Sequence, residues 1–377
     1  MRFDHTATTN DQRNSLQPTR RQLLGGVGAA GLTFALGACS GGGKTGKAVS
    51  GGGGQTKSVT LVLDVAPYGK DTPFYVAKEK GFWSKRGLDV AIQHGKGSAD
   101  TVTKIGAGTG EFGFADISAM IQGRANKNID ATMVCMFHYK NLASAQGLNN
   151  PAISEPKDLV GKTLVTTPGD ADLVLLPALA KINGFDRKQV KISFSEYTSE
   201  IPAVVTGKAD GMLNYFTAYP ALEAAAEKRG KKASYFLYAD YGLDIYNNGI
   251  MVLNKYLKSS PDQVKAFTAG FVEAVVYTVA HPDEAVQIFT QAVPGISADV
   301  VAAQQQVAIN HLHVPEVEKH GFGPMDEGKV KRTLDIVNKY FKLKKPVSNV
   351  GDIFTNDHVP RGKVPKFTTK PSATPSG

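Results

Sequence analysis

Cysteine is nearly absent from this sequence, with only Cys39 and Cys135 among its 377 residues. Cys135 lies in the apolar run 131–137, which is typical of a buried strand, so we expect a buried thiol rather than a reactive one. Cys39 lies in an N-terminal segment that has a separate predicted role, so Cys135 has no partner and no disulfide is expected within the chain. The fold must then depend on its hydrophobic core alone.

Long hydrophobic runs are also missing. Residues 23–38 are apolar, but they are too few and too rich in glycine for a membrane span, which needs about 20 apolar residues. No later segment is long and apolar enough to span a membrane. A transmembrane anchor is therefore not expected.

The chain lacks the common catalytic signatures, namely the phosphate-binding P-loop and the G-x-S-x-G nucleophile elbow. Residues 26–31 match the dinucleotide pattern G-x-G-x-x-G, but no strand precedes them, which excludes that interpretation. A late cluster of side chains could hold a metal: His311, His313, Glu316, Glu318 and His320. Pro315 interrupts this cluster and favours a solvated stretch between helices. We therefore predict no catalytic residue, no metal and no cofactor.

The N-terminal residues have the parts of an export signal. Arg20 and Arg21 precede the apolar residues 23–38, and small residues stand just before Cys39. The tetrapeptide Leu-Gly-Ala-Cys at 36–39 resembles the lipobox of bacterial lipoproteins. That resemblance implies that residues 1–38 are removed and that Cys39 carries the lipid.

The likeness to lipoproteins also implies a location, which is the extracytoplasmic face of the cell membrane. Residues 39–57, rich in glycine and serine, are expected to form a flexible tether. The paired arginines indicate the twin-arginine (Tat) route, whereas Leu23 and Gly25 depart from its usual pattern. The general secretory route therefore stays open.

The net charge of the whole chain is +9. The signal carries four arginines and two aspartates, so +7 remains on the mature chain. Its lysines are scattered rather than arranged as a stripe, which favours solubility and argues against a nucleic-acid site.

Short strands alternate with helices from Val59 to the mid-340s. This alternation predicts an α/β fold with parallel sheets covered by helices. The expected parts are 58–144, 145–247, a helical return at 248–345, and a disordered tail at 346–377 rich in proline, lysine and threonine. Ligands of such folds bind beyond the carboxyl ends of strands, so ligand-binding residues are expected in the turns after strands.

Tyrosines, carboxylates and serines recur in those turns. Aromatic rings can stack on a ligand, and carboxylates accept hydrogen bonds from N–H groups. Taken singly, such a residue would more often end a core or cap a helix, as Asp172 could for the helix after it. Their recurrence makes them candidate ligand-binding residues: Asp64, Tyr68, Tyr75, Ser98, Asp116, Ser118, Tyr139, Asp170, Glu196, Tyr197, Tyr215, Tyr219 and Tyr246.

A family resemblance is carried by a series of short segments in a fixed order. They are DVAP at 64–67, PFYVAKEKGFW at 73–83, GLDV at 87–90, GS at 97–98, IGAG at 105–108, FGFAD at 112–116, KDLVGK at 157–162, GKADG at 207–211 and DYGLDIY at 240–246. Together they resemble the substrate-binding proteins of ABC importers, in the branch that takes sulfonates, nitrate, and thiamine-pyrimidine or flavin precursors. The likeness covers residues 58–345.

The resemblance implies a two-lobed type II periplasmic binding protein with its ligand cleft between the lobes. Lobe one would comprise 58–144 and 248–345, and lobe two 145–247. The implied function is binding without catalysis: a monomer captures a small solute by lobe closure and delivers it to an ABC permease and its ATPase.

The identity of the solute is open between two chemical classes. The tyrosines and acids of the turns favour a pyrimidine or flavin-like heterocycle and would repel a sulfonate or nitrate, which would prefer Ser98 and helix N-termini. Against the pyrimidine class, residues 215–217 (Tyr-Phe-Thr) lack the glutamate expected after that strand. Two further alternatives are a pyrimidine-synthesising enzyme of the same fold and a surface scaffold without a ligand.

Overall fold

The computed structural model describes residues 56–367. The export signal, Cys39 and most of the predicted tether lie outside the described residues, as do residues 368–377. No helix in the described part is both long and apolar enough to cross a membrane.

Two five-stranded sheets organise the described chain. The strands in chain order are β1 Lys57–Leu63, β2 Leu88–His94, β3 Phe112–Asp116, β4 Ala131–Met136, β5 Ala143–Leu148, β6 Thr163–Thr166, β7 Lys191–Phe194, β8 Gly211–Tyr215, β9 Ala233–Leu237 and β10 Asn248–Leu253. The sheet of lobe one has the order β2-β1-β3-β10-β4, and the sheet of lobe two has the order β7-β6-β8-β5-β9. The chain is thus a two-lobed α/β protein with the type II periplasmic binding protein fold.

Helices cover both sheets. In chain order they are α1 Thr72–Glu79, α2 Ser98–Gly106, α3 Ile117–Lys127, α4 Ala171–Ile182, α5 Glu200–Val205, α6 Tyr219–Glu227, α7 Asn254–Ser259, α8 Pro261–Ala280, α9 Pro282–Ala292, α10 Ala298–Leu312, α11 Pro315–His320 and α12 Glu327–Tyr340. Helices α4 to α6 belong to lobe two, and the others belong to lobe one. Proline at the first or second position of α1, α8 and α9 explains where these helices begin, since its missing N–H would have had no helical partner.

The sheets are mixed rather than parallel throughout, which corrects the sequence-based expectation. Strand β10 runs antiparallel to β3 and β4, and β5 runs antiparallel to β8 and β9. These two strands follow the crossings between lobes. After each crossing, the chain enters the other sheet running opposite to the strands beside it. The first strand after a crossing is therefore antiparallel to both of its neighbours.

The two crossings pair with each other through their backbones. The N–H of His138 donates to the carbonyl of Asn248 at 2.9 Å, and the N–H of Asn247 donates to the carbonyl of His138 at 3.1 Å. The two crossings are therefore held side by side where the chain passes between the lobes.

Stacked aromatic rings hold the core of lobe one. Phe112 stacks on Phe267 with 3.8 Å between ring centroids, and Phe74 stacks on Phe271 at 4.6 Å. The indole N–H of Trp83 donates to the carbonyl of Phe267 at 3.0 Å. Helix α8 is thereby fixed to the first strands of the chain, which closes lobe one around its returning segment.

Residues 346–367, expected to be disordered, are instead packed on lobe one. Ile353 is fully buried, and the backbone N–H of Met133 donates to its carbonyl at 2.9 Å. Val347 and Val359 are also buried. The expectation of disorder was wrong over this range. It rested on overall composition, which gives no weight to the three apolar side chains that complete the core of lobe one.

Candidate ligand site between the lobes

The two lobes touch each other along the ends of their strands. The ring of Tyr68 in lobe one stacks on Tyr197 in lobe two, with 5.2 Å between centroids. The hydroxyl groups of Tyr68 and Thr217 lie 3.0 Å apart, and the N–H of Ala99 donates to the carbonyl of Gly169 at 3.1 Å. The structure therefore represents a closed arrangement of the lobes.

A cavity of about 310 Å³ opens at the edge of this interface. Its walls include Val65, Lys96, Thr167 and Tyr197, which come from both lobes. At the same edge, the ammonium of Lys96 and the carboxylate of Glu196 lie 3.1 Å apart and remain exposed. Glu196 is therefore a rim residue that links the lobes.

Lobe one contributes a buried ion cluster. The ammonium of Lys70 lies 2.8 Å from Asp64 Oδ1 and 2.8 Å from Asp71 Oδ1, and all three side chains are buried. Burial alone would lower the pKa of Lys70, but the two carboxylates raise it above its usual value. Asp64 also accepts from the amide of Asn248 at 2.7 Å, so its hydrogen-bonding capacity is largely used within the protein.

Asp116 has a similar internal role. Its Oδ1 accepts from the N–H groups of Ser118 and Ala119 and caps α3, while its Oδ2 accepts from the Asn247 amide at 2.6 Å. Burial raises the pKa of Asp116 to about 6, although these hydrogen bonds lower it. Ser98 accepts from the N–H of Asp116 at 3.1 Å and thereby connects α2 to the same strand end.

Lobe two contributes a pair of carboxyl groups at the start of α4. Asp172 Oδ1 accepts from the N–H of Ser144 at 2.7 Å, whereas its buried Oδ2 has no partner among the described residues. Burial, followed by the neighbouring Asp170, raises the pKa of Asp172 well above its usual value. Burial also raises the pKa of Asp170 to about 6, and Asp64 on the opposite lobe adds to this rise.

Glu200, at the start of α5, is the third buried acid of lobe two. Its two carboxylate oxygens accept from the Thr167 hydroxyl at 2.8 Å and the Asn214 amide at 2.7 Å. Burial raises the pKa of Glu200 well above its usual value, and Asp170 raises it further.

His138 lies in the first crossing between the lobes and has no hydrogen-bond partner for either ring nitrogen among the described residues. Its side chain is almost fully buried, and its ring meets the Tyr215 ring edge-on at 5.7 Å. Burial, followed by the charge of Lys70, lowers the pKa of His138 well below its usual value. The neutral ring therefore offers one donor and one acceptor, and leaving each unmatched costs about 1–3 kcal/mol.

The hydroxyl of Tyr215 bonds to the side chain of Asn248 and so also connects the two lobes. Tyr215, Tyr68 and Tyr197 are the predicted tyrosines that the structure brings to the interface. Their role in ligand binding remains a prediction. Ser118 is also buried beside the interface, and its hydroxyl has no partner in the described part of the chain.

Four other predicted tyrosines are not among these interface contacts, and their role in ligand binding also stays a prediction. Tyr139 donates to the carbonyl of Pro324 and accepts from the N–H of Gly323 inside lobe one. Tyr246 bonds to Glu316 and to the N–H of Asp326 among the C-terminal helices. Tyr75 packs edge-on against Phe289, and Tyr219 stacks on Phe216, whose ring meets His311 of lobe one edge-on. A turn tyrosine can point into its own lobe, and the sequence pattern does not reveal this direction.

Lys70, His138, Asp172, Thr217 and Glu200 were not predicted as site residues. A lysine in a turn just before a helix is usually exposed, so no local signal distinguishes Lys70. A glutamate at a helix start is usually solvated and stabilises the helix end, so the position of Glu200 gave no reason to predict a buried site residue. Within residues 56–367, no group of three or more histidine, cysteine or acidic side chains could hold a metal ion.

A family model described as NMT1/THI5 like matches residues 70–285, which is more than half of the chain. The chain is 27% identical over 237 residues to the formylaminopyrimidine-binding protein of Halalkalibacterium halodurans, covering 62% of this chain and 69% of the relative. It is 25% identical over 319 residues to the riboflavin-binding protein RibY of Chloroflexus aurantiacus, covering 81% and 87%.

Two further similarities extend this comparison. The chain is 24% identical over 267 residues to the 4-amino-5-hydroxymethyl-2-methylpyrimidine phosphate synthase THI13 of Saccharomyces cerevisiae, covering 67% of this chain and 76% of the synthase. The alkanesulfonate-binding protein SsuA of Xanthomonas axonopodis, solved with bound MOPS, superposes with a TM-score of 0.64 at 14% identity, covering 80% of this chain and 100% of that protein. This last likeness concerns the fold.

Proposed function

The chain belongs to the NMT1/THI5-like family, and from this premise we propose that it is the solute-binding component of an ABC importer. The observation that carries the proposal is the buried polar layer between the lobes, where His138 and Asp172 present polar atoms that have no partner within residues 56–367. Such atoms are costly unless a ligand or water satisfies them, so closure around a polar solute explains their presence. The layer combines these atoms with aromatic rings, as small-molecule sites usually do.

The proposed solute is a pyrimidine or flavin-like heterocycle. Tyr197, which lines the cavity at the interface, offers an aromatic ring to a flat ligand, while Asp170 offers an acceptor for ring or amino N–H groups. The relatives named for binding formylaminopyrimidine and riboflavin support this class.

A sulfonate or nitrate is the alternative solute. The alkanesulfonate-binding protein SsuA, solved with bound MOPS, represents this class. At 14% identity, however, its likeness supports only the fold of this chain. The buried acids Asp170, Asp172 and Glu200 would repel an anion that entered the interface. An anion would therefore need positive groups that this part of lobe two does not present.

An enzymatic role is the second alternative, because several relatives are named as pyrimidine phosphate synthases. We propose binding without turnover. The described residues of the interface are engaged in hydrogen bonds rather than in a nucleophile–base arrangement: Tyr68 bonds across to Thr217 of lobe two, and Glu200 bonds to Thr167 within lobe two.

The proposed location is the extracytoplasmic face of the cell membrane, with Cys39 as the lipid-bearing residue. A monomer anchored in this way could bind its solute and present the closed lobes to a permease, which works together with its ATPase.

A screen of the full-length protein tests the proposal. Thermal shift is measured with riboflavin, 4-amino-5-hydroxymethyl-2-methylpyrimidine, MOPS and nitrate, and positive compounds are followed by calorimetry. We expect a heterocycle to raise the melting temperature and to be recovered unchanged after denaturation. A modified product would establish an enzyme, stabilisation by MOPS alone would favour the anion class, and no response to any compound would contradict the proposal.

A further inference from the structure

A small internal cavity lies in lobe one and shares no lining residue with the cavity at the interface. The start of α1, helix α8 and helix α10 surround it, and every residue that lines it is buried. It leaves about 10 Å³ in which the centre of a water molecule can lie, which is about the space that one water needs. Most of its wall is apolar, from side chains such as Phe137, Val275, Ile309 and Leu312.

Three polar side chains interrupt this apolar wall: Thr72 of α1, Thr278 of α8 and Gln305 of α10. Each of these residues is 2% exposed or less. The hydroxyls of Thr72 and Thr278 and the Oε1 of Gln305 have no hydrogen-bond partner among the described residues. Because an unpaired buried polar group loses its hydration without compensation, three such atoms around one cavity indicate a polar ligand inside it.

The orientation of the Gln305 amide defines what this ligand must offer. Its Nε2 donates to the carbonyl of Pro282, at the start of α9, at 2.9 Å. The reverse orientation would set Oε1 against that carbonyl oxygen, so Oε1 is the atom left over, and it can only accept. The two threonine hydroxyls can each donate or accept. The missing partner is therefore a donor to Gln305.

The same cavity limits the size and charge of its ligand. The available space excludes any organic molecule. Lys70 also lines the cavity, and its buried ammonium opposes the binding of a metal cation. A neutral molecule with one heavy atom, able both to donate and to accept, fits all of these conditions. Water is that molecule.

We propose that this cavity is an internal hydration site, in which one bound water joins α1, α8 and α10. The water donates to Gln305 Oε1, and its second hydrogen and its oxygen pair with the hydroxyls of Thr72 and Thr278. This gives about three hydrogen bonds, the number that a buried water usually makes. The inference does not depend on the identity of the solute or on the proposed function.

The site reinforces the contact between α10 and the turn that carries Tyr68. The N–H of Gly69 donates to Gln304 Oε1 at 2.9 Å. A Cβ on Gly69 would clash with the carbonyl oxygen of Val301, so α10 packs directly against this turn. The bound water adds a further link from Gln305, the next residue of the same helix.

A crystal structure of the full-length protein, at a resolution that shows ordered waters, tests the site directly. We expect one water peak within hydrogen-bond distance of the two hydroxyls and of Gln305 Oε1. A cavity without such a peak would overturn the inference, and so would a direct hydrogen bond between two of these side chains. This measurement does not depend on how any variant folds.

The sign of a stability change provides a second test. Thr278→Val keeps the shape of the side chain and removes its hydroxyl. If that hydroxyl binds the water, urea unfolding should show an equilibrium constant for unfolding about fivefold larger. A dry site predicts equal or greater stability, because the substitution would remove an unpaired buried group. Thr290→Val is the control, because its hydroxyl bonds to the Val286 carbonyl of its own helix at 2.9 Å, and it should change the constant by about twofold at most.

A double-mutant cycle shows whether the two hydroxyls share one water. Thr72→Val, Thr278→Val and the double variant are compared by urea unfolding. Once one substitution has weakened the water site, the other should cost less than it does alone. The double variant should therefore be less destabilised, by at least about twofold, than the product of the single effects. Effects that multiply, or a gain in stability in Thr278→Val, would overturn the inference.

Discussion

Gly97 of lobe one lies directly against the backbone of Gly169 in lobe two. A Cβ at position 97 would lie 2.6 Å from the carbonyl carbon of Gly169 and 2.7 Å from its oxygen, where no side-chain atom fits. Gly97 also has a φ of +105°, which L residues rarely adopt. The closed arrangement therefore depends on the absence of a side chain at this position.

The substitution Gly97→Ala is expected to prevent full closure. With the compound identified by the screen, its affinity should fall at least about tenfold, and small-angle scattering should give a larger radius of gyration than for the unmodified protein. Gly87→Ala is the matched control, because Gly87 also has positive φ but nothing lies within 4 Å of its Cβ position. Equal affinity of both variants would show that the contact does not limit closure.

Two tyrosines should separate binding from stability. Tyr197→Ala removes the ring that stacks on Tyr68 and should weaken binding about tenfold or more, with little effect on unfolding. Tyr139→Phe leaves the Gly323 N–H without an acceptor inside lobe one and should lower the free energy of unfolding by about 1–3 kcal/mol without changing affinity. Calorimetry measures the affinities, and urea unfolding measures the stabilities. Weaker binding in Tyr139→Phe together with unchanged binding in Tyr197→Ala would contradict the placement of the site.

Asp64 is expected to act mainly on stability. Asp64→Asn removes one of the two carboxylates that compensate the buried Lys70 and should destabilise the protein by about 3 kcal/mol. Glu196→Gln, which removes the exposed partner of Lys96, should change the free energy of unfolding by less than about 1 kcal/mol. Similar urea midpoints for both variants would indicate that the Lys70 cluster is solvated in solution.

The stability of the protein should depend on the protonation of Asp116. Burial raises its pKa in the folded protein to about 6 from 3.8. Because the folded state holds this proton more tightly, its stabilising contribution is full below about pH 4 and is lost as the pH rises to about 6. The shift corresponds to about 3 kcal/mol.

Asp116→Asn tests this dependence. An asparagine can still cap α3. The Asn247 Oδ1, which has no partner in the described part of the chain, can turn to accept a hydrogen bond from the new amide. Urea unfolding between pH 4 and 7 should therefore show a smaller loss of stability with rising pH in the variant. Parallel curves for the two proteins would exclude Asp116 as a contributor.

Anchoring should depend on Cys39 alone. Cys39→Ala is expected to abolish labelling with radioactive palmitate and to release the protein from the membrane fraction, while its melting temperature stays the same. Cys135→Ala is the control for the other thiol, which is buried, and should leave labelling intact. Continued membrane retention of Cys39→Ala would refute the lipoprotein prediction.

Most elements of the fold could be predicted from local patterns. Thr72 and Pro73 indicated the start of α1, and alternation at Leu88, Val90 and Ile92 indicated β2. Helix α3 and strand β5 have weaker local signals, because Asp116 is as typical of a turn as of a helix N-cap and the sequence of β5 has no strong alternation. The antiparallel placement of β5 and β10 depends on where the chain crosses between lobes, which local patterns do not encode.

The candidate site was likewise predictable only in part. The sequence by itself determined that tyrosines and acids cluster at strand ends, and its motif order determined the family and the two-lobed fold. Only the tertiary structure decided that Tyr139 and Tyr246 face their own lobe, that Lys70 compensates Asp64, and that one carboxylate oxygen of Asp172 has no partner among the described residues. The physical reason is that propensity and periodicity act between near neighbours in the chain, whereas burial and charge compensation arise between residues that meet only when the two lobes have folded and closed.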